Sequence, residues 1–375
     1  MASGLESYLL SVIAEPGRPG VATSGLRGLL GGLSALYDAG LDAYLAAETL
    51  GLRRRETLPI PVISIGNLTV GGTGKTPMTQ FLSRRLQESG KRIAVLSRGH
   101  GGEGQSVRLV SDRKGHCLLT APEAGDEPVL LARTLPGVPV LVGKDRRQSG
   151  REALRRFDLD ALVLDDGFQY WQLARDLDIV LLDSRRPFGN GFSLPRGLLR
   201  ESKKHLARAG IIVVTRAGGL GKAGRQSLLG EISALTPAAS VYFADHQAVG
   251  FVSVSDLAVP PLPLNALRGE PVYAVSAIAQ PASFLHSLVQ ESGVQIAGQE
   301  AWDDHYAFDT QQAQEVQQAA RRVGAAAIVM TEKDAVKWPT AEINDLPTYA
   351  LRIEMTVENE AAFLADVLAR IKLGD

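Results

Sequence analysis

Short apolar runs rich in β-branched residues recur along the chain, each closed by a glycine, a proline or a charged residue. Residues 62–65, 92–97, 139–142, 161–164, 178–183, 210–215, 240–243, 250–254, 271–276 and 326–331 follow this pattern and predict buried strands. Between them lie stretches with apolar positions three or four residues apart. The segments 78–86, 129–134 and 358–371 predict helices, and Asp309-Thr310-Gln311-Gln312 has the form of a capping box opening a further, polar helix. Residues 107–119 predict a hairpin carrying Cys117. Strands alternating with helices predict an α/β fold, with a parallel sheet covered by helices on both faces. Glycines at 218, 219 and 221 mark 217–222 as a linker, so a main domain of 58–216 precedes a smaller α/β domain of 223–355 and a closing helix in 356–375.

Residues 1–57 read differently. An apolar run at 8–14 is followed by Pro16, Gly17, Pro19 and Gly20, a turn. From 25 to 50, Leu26, Leu30, Leu33, Tyr37, Leu41 and Tyr44 form one helical stripe, with Arg27, Ser34, Asp38 and Asp42 on the other side and Arg53-Arg54-Arg55 closing the segment. Two readings stand: a helix packed by its stripe on the protein's own core, or an interfacial helix lying on a membrane with the arginines among lipid headgroups.

The first strand carries the main chemical signal. It runs into Gly66-Asn67-Leu68-Thr69-Val70-Gly71-Gly72-Thr73-Gly74-Lys75-Thr76 and then a helix, the context of a phosphate-binding P-loop. Glycines let backbone N–H groups turn inward on phosphate oxygens, and the helix start adds partial positive charge. Thr69, Val70, Gly71, Gly72, Thr73, Gly74, Lys75 and Thr76 are the expected nucleotide contacts. Lys75 reaches the terminal phosphates, and the Thr76 hydroxyl suits a magnesium ion. The apolar run 161–164 ends in Asp165-Asp166, an acidic strand end of the kind that serves metal and water at such a loop. The fold expected is therefore P-loop NTPase-like.

Composition narrows this further. The chain has 375 residues, 45% apolar and 22% charged, with a net charge of −1. That is ordinary globular composition, with no field directed at nucleic acid. Cys117 is the only cysteine, which rules out an internal disulfide and any cysteine-cluster metal site. No run approaches the roughly 20 apolar residues of a membrane-spanning helix, and no signal peptide is expected.

The motifs together are similar to those of the tetraacyldisaccharide 4′-kinases, membrane-associated lipid A kinases of Gram-negative bacteria. The segments that carry the resemblance are SIGNLTVGGTGKTP (64–77), SRG (97–99), GDEP (125–128), DDGFQ (165–169), ARDLDI (174–179), DHYAF (304–308) and TEKDAVK (331–337). Tyr170-Trp171 stand where the family usually has histidine and arginine. The resemblance implies ATP and Mg²⁺ as cosubstrates and phosphate transfer to the 4′-hydroxyl of a tetraacylated disaccharide 1-phosphate, giving the lipid A precursor of lipopolysaccharide. It implies Asp126 as the base, supported by His305, with Asp304 as that imidazole's partner. Asp165, Asp166 and Glu201 would serve the metal region with Thr76, and Arg147 and Arg200 would hold phosphate charge. It places the protein peripherally on the cytoplasmic face of the inner membrane, with the lipid A disaccharide as substrate and no nucleic-acid partner. Two alternatives remain on the residues alone: a P-loop kinase of a small soluble substrate, and a nucleotide-switch protein, since Thr331-Glu332-Lys333-Asp334 after a strand has the look of a base-reading motif.

Overall fold

The computed structural model describes residues 21–52, 54–102, 106–339 and 345–373. The apolar run at 8–14, the turn after it and Arg53 lie outside these residues. In chain order the elements are α1 (Val21–Thr49), β1 (Val62–Asn67), α2 (Lys75–Glu88), β2 (Ile93–Ser97), β3 (Arg108–Ser111), α3 (Ala121–Ala124), α4 (Asp126–Thr134), β4 (Val140–Val142), α5 (Arg146–Arg156), β5 (Ala161–Asp165), β6 (Leu177–Asp183), β7 (Ile211–Thr215), α6 (Lys222–Leu235), β8 (Ser240–Ser253), β9 (Leu262–Pro263), β10 (Pro271–Ser276), α7 (Pro281–Ser292), β11 (Gln295–Ala301), α8 (Thr310–Arg322), β12 (Ala327–Thr331), α9 (Glu332–Ala335), β13 (Thr348–Val357) and α10 (Glu360–Arg370). The predicted strands at 240–243 and 250–254 are one long strand, β8, and α6 begins inside the expected linker.

The chain forms two compact units, each assembled from separate stretches. The first comprises 1–75, 166–245 and 357–375; the second comprises 76–165 and 246–356. In the first unit β1, β6, β7 and the start of β8 pair in that order, all parallel. β1 and β7 are buried along their whole length, as strands covered on both faces must be. Phe168, Leu182, Phe188, Leu199, Leu206, Val214 and Ile232 pack one face.

The second unit holds two ladders. In one, β5, β2 and β4 are parallel and β3 runs antiparallel along β4. Cys117 bridges back to Ser111, so the predicted hairpin is present. In the other, β11, β10, β12 and β13 are all parallel. Phe251, Ala274, Phe284, Leu288 and Val329 build its core.

Helix α1 belongs to the first unit and docks by its polar side. Ser34 Oγ donates to the Ser193 carbonyl at 2.8 Å and accepts from the Arg196 N–H at 2.9 Å. Tyr37 Oη donates to the Arg200 carbonyl at 2.7 Å. Asp42 pairs with Lys204 and with His205 Nε2 at 2.9 Å. The Lys204 ammonium holds the Asp42 carboxyl below the usual carboxylate range. Leu41 is the apolar residue of α1 that becomes buried, whereas Leu29 and Leu36 remain 63% and 71% exposed with Leu33 between them. The helix therefore packs on its own unit through a face that mixes Tyr37 and Leu41 of the stripe with Ser34 and Asp42 from its other side, and leaves Leu29, Leu33 and Leu36 outside.

Candidate active site

In the first unit the loop after β1 is shaped by neighbours on both sides. Val70 N–H donates to the Leu198 carbonyl and Arg200 N–H to the Leu68 carbonyl, at 2.8 and 2.7 Å, so 68–70 and 198–200 zip together. From the end of β7, Thr215 Oγ1 donates to the Thr73 carbonyl at 3.0 Å, and Arg216 donates to the Gly72 carbonyl at 3.1 Å. With the Gly72 and Thr73 carbonyls taken from behind, the glycine-rich part of the loop can present N–H groups to a ligand, whereas the Val70 N–H, expected as a nucleotide contact, is already used on Leu198. Gly66 is fixed by packing: a Cβ there would lie 2.5 Å from the Cβ of Phe168, in the DDGFQ segment.

Lys75, at the first position of α2, lies 3.3 Å from Asn67 Oδ1 and 3.9 Å from Asp166. Arg200 donates to the same Asn67 oxygen at 3.1 Å and forks onto Asp166 at 2.6 and 3.1 Å. Two cations thus converge on one carboxylate and one amide oxygen. This is a positive cluster that a phosphate can exploit, because Arg forks fit phosphate as well as carboxylate. Asp166 sits in the left-handed region, φ 53°, which turns it away from the line of β5.

Glu201 is fully buried. Gln169 Nε2 donates to it at 2.8 Å, Arg208 forks onto both its oxygens at 3.0 and 2.8 Å, and His205 Nδ1 stands 3.1 Å away. Gln169 also donates to the Asn67 carbonyl at 3.0 Å. Glu201 therefore anchors a polar network under the loop. Asn67, Gln169, Arg208, Thr215 and Arg216 escape the sequence reading because their roles come from partners distant in the chain.

In the second unit, Asp165 accepts from Thr79 Oγ1 at 3.0 Å, so a hydroxyl on α2 fixes the strand-end carboxylate. Asp165 and Thr76 in this unit, and Asp166 in the first, each carry a carboxylate or hydroxyl oxygen, the hard donors magnesium takes, usually together with substrate phosphates. Among the described residues no group of three His, Cys, Asp or Glu forms a metal cage by itself. Arg147 forks onto Asp145 at 2.9 and 2.8 Å, and Asp145 also caps α5.

Asp126 occupies the first turn of α4, and the cap position falls to Gly125. Gly125 has φ 94°, and a Cβ there would meet the His100 carbonyl at 2.4 Å, so only glycine delivers Asp126 in this orientation. Asp126 Oδ2 lies 3.0 Å from His305 Nδ1. His305 is itself left-handed, φ 64°, an uncommon conformation that marks a constrained position. Its Nε2 lies 3.4 Å from Lys333 Nζ. Asp304 is 3.9 Å from that nitrogen, beyond hydrogen-bond reach. Lys333 therefore takes the neighbouring place expected for Asp304. Aromatic rings of Trp302, Tyr306, Phe308 and Trp338 pack together beside this segment, with Trp302 and Tyr306 each edge to face with Phe308.

The chain matches the family described as tetraacyldisaccharide-1-P 4′-kinase over residues 26–372. It is 43% identical to the tetraacyldisaccharide 4′-kinase of Syntrophus aciditrophicus over 86% of this chain and 87% of that one. It is 42% identical to that of an Anaeromyxobacter species, covering 91% and 90%. Among solved structures it is similar to LpxK from Aquifex aeolicus in complex with ATP, with TM-score 0.74, 26% identity and coverage of 92% and 99%.

Proposed function

Because the chain belongs to the tetraacyldisaccharide-1-P 4′-kinase family, we propose that it moves the γ-phosphoryl group of ATP to the 4′-hydroxyl of a tetraacylated glucosamine disaccharide 1-phosphate, making the lipid A precursor lipid IVA. The observation that carries this reading is the Asp126–His305 pair at 3.0 Å. A P-loop suits many nucleotide-binding proteins, but a carboxylate–imidazole pair suits a sugar hydroxyl, a poor nucleophile that gains from a positioned proton acceptor. Asp126 takes the hydroxyl proton while His305 holds its carboxylate and shares the charge.

Thr69 to Thr76 wrap the nucleotide phosphates, and Lys75 with Arg200 stabilises charge on the transferring group. Arg147 serves the 1-phosphate of the acceptor. Thr76, Asp165 and Asp166 would hold magnesium, which would supply charge neutralisation for the phosphates; Glu201 supports that region through Gln169 and Arg208. The switch alternative loses its motif: Asp334 is fully buried and accepts from the Ala277 N–H at 3.1 Å and the Thr331 hydroxyl at 2.6 Å, so it does not read a base.

The acceptor is a lipid, and α1 suits work at its surface. The exposed Leu29, Leu33 and Leu36, with Arg54 and Arg55 beyond them, give a peripheral anchor on the cytoplasmic face of the inner membrane. No helix among the described residues is long and apolar enough to cross a membrane.

The test is purified protein with ATP, magnesium and the disaccharide 1-phosphate, followed by mass analysis. One added phosphoryl group is expected on the disaccharide and none on soluble sugars or nucleosides. Lys75→Ala should lower turnover by about 10³-fold or more. A folded Lys75→Ala protein with near-normal turnover sinks the assignment.

A further inference from the structure

Behind Asp126 lies a buried lysine to which nothing above gives a role. Lys337 follows α9, and its side chain is 3% exposed. Its ammonium stands 3.5 Å from Asp126 Oδ2 and 3.3 Å from Asp334 Oδ1. Neither Lys337 Nζ nor Asp334 Oδ1 makes a hydrogen bond of normal geometry, although both are buried. An ammonium sealed from water with its donors poorly satisfied is costly. A simple structural tie would be better served by an apolar side chain of the same length.

The surroundings show what the charge does. Asp334 is locked by the Ala277 N–H and the Thr331 hydroxyl and cannot move. It fixes the lysine, and the lysine fixes Asp126. Asp126 Oδ2 receives both Lys337 and His305. Its other oxygen has no partner among the described residues. The remaining charged or titratable neighbours are Glu127 paired with Lys333 at 3.5 Å, Asp304, and His100, whose ring lies 6.2 Å from that of His305.

We propose that Lys337 is a positioning residue for Asp126: its buried ammonium, anchored on Asp334, pins Oδ2 and leaves Oδ1 turned to the acceptor hydroxyl as a carboxylate. The inference rests on the reading of Asp126 as the base. Two carboxylates and one ammonium leave one negative charge in the pocket, which the incoming proton cancels. Without Lys337 the two carboxylates face each other uncompensated.

The experiment compares Lys337→Met, Asp334→Asn and Asp126→Asn in the full chain, reading KM for ATP, kcat, and kcat against pH. Lys337→Met should keep KM for ATP, lose about tenfold or more in kcat, and move the acidic limb of the profile up by about one pH unit or more. Asp334→Asn keeps the lysine and removes the competing carboxylate, so its limb should move down. It decides alone if Lys337→Met does not fold. Opposite shifts support the inference; unmoved limbs with only a lower melting temperature overturn it. If Asp126→Asn retains turnover, the base reading fails and this inference with it. If Asp126→Asn is inactive while the limbs of the other two do not move, only the role of Lys337 fails.

Discussion

At the scale of single residues, the nucleotide loop depends on groups that hold it from behind. Thr215 and Arg216 take the carbonyls of Thr73 and Gly72 and never need to touch a phosphate. A buried hydrogen bond contributes about 1 kcal/mol net, so Thr215→Val should raise KM for ATP about fivefold and leave KM for the lipid unchanged. Equal rises in both would show general loosening instead. Lys75, Thr76 and Asp165 stand out in the sequence by context, a glycine-rich loop between strand and helix and an acidic strand end, although Thr69 stands where the standard spacing wants glycine. Asp126 and His305 became legible through family motifs, since one aspartate and one histidine 179 positions apart carry no local signal. Lys337 sat in a quoted motif without a role, because its meaning is a three-way contact made only on folding.

At the scale of elements, α1 separates two kinds of amphipathic helix. The stripe expected from the sequence splits: Tyr37 and Leu41 meet the protein, Leu33 stays outside, and Leu29 and Leu36 beside it were not part of it. Here Ser34, Tyr37 and Asp42 supply partners on the docking side, and Leu29, Leu33 and Leu36 stay outside. A leucine fully withdrawn from water contributes on the order of 1.5–3 kcal/mol, and a basic residue beside an anionic surface about 1 kcal/mol. The leucines should therefore dominate attachment. The triple variant Leu29→Asp, Leu33→Asp, Leu36→Asp should abolish vesicle flotation while leaving the melting temperature within a few degrees. Removing Arg54 and Arg55 should weaken flotation only at low salt. Undiminished flotation of the leucine variant would disprove the anchor. Other elements were missed for the opposite reason. β11 is half-exposed and polar at a sheet edge, so it shows no apolar run, and α6 begins in glycines that suggested a linker.

At the scale of the whole molecule, the α/β class was legible from buried runs alternating with helical stretches, and the strand alignment was not. One alignment is enforced by Arg92, which forks onto Asp160 at the entrance to β2 and β5. Hydrogen bonds from Arg92 hold the Asp160 carboxyl down at about 2. A carboxyl with a depressed folded-state pKa adds stability above its ordinary range near 4, and that contribution fades as pH falls toward 2. The pair is exposed, so solvent screens most of that contribution. Arg92→Ala should lower the melting temperature slightly at pH 7, with the deficit shrinking below pH ~4 and absent near pH ~2. A deficit that does not vary with pH would leave this ion pair without a share in it.

The first unit draws on the beginning, middle and end of the chain, and that has a consequence for biosynthesis. Its closing helix α10 sets Phe363 against Tyr242 at 5.2 Å between ring centroids, and Glu358 pairs with Arg225 at 2.6 Å. Domains usually fold in order as they leave the ribosome. Here the unit that carries most of the P-loop has to wait for residues 357–375 to be made, while the second unit has all its residues by 356. We therefore expect ribosome-bound chains halted before residue 357 to have a protease-sensitive P-loop that gains protection on release. Full protection before release would show that the nascent unit does not need its tail.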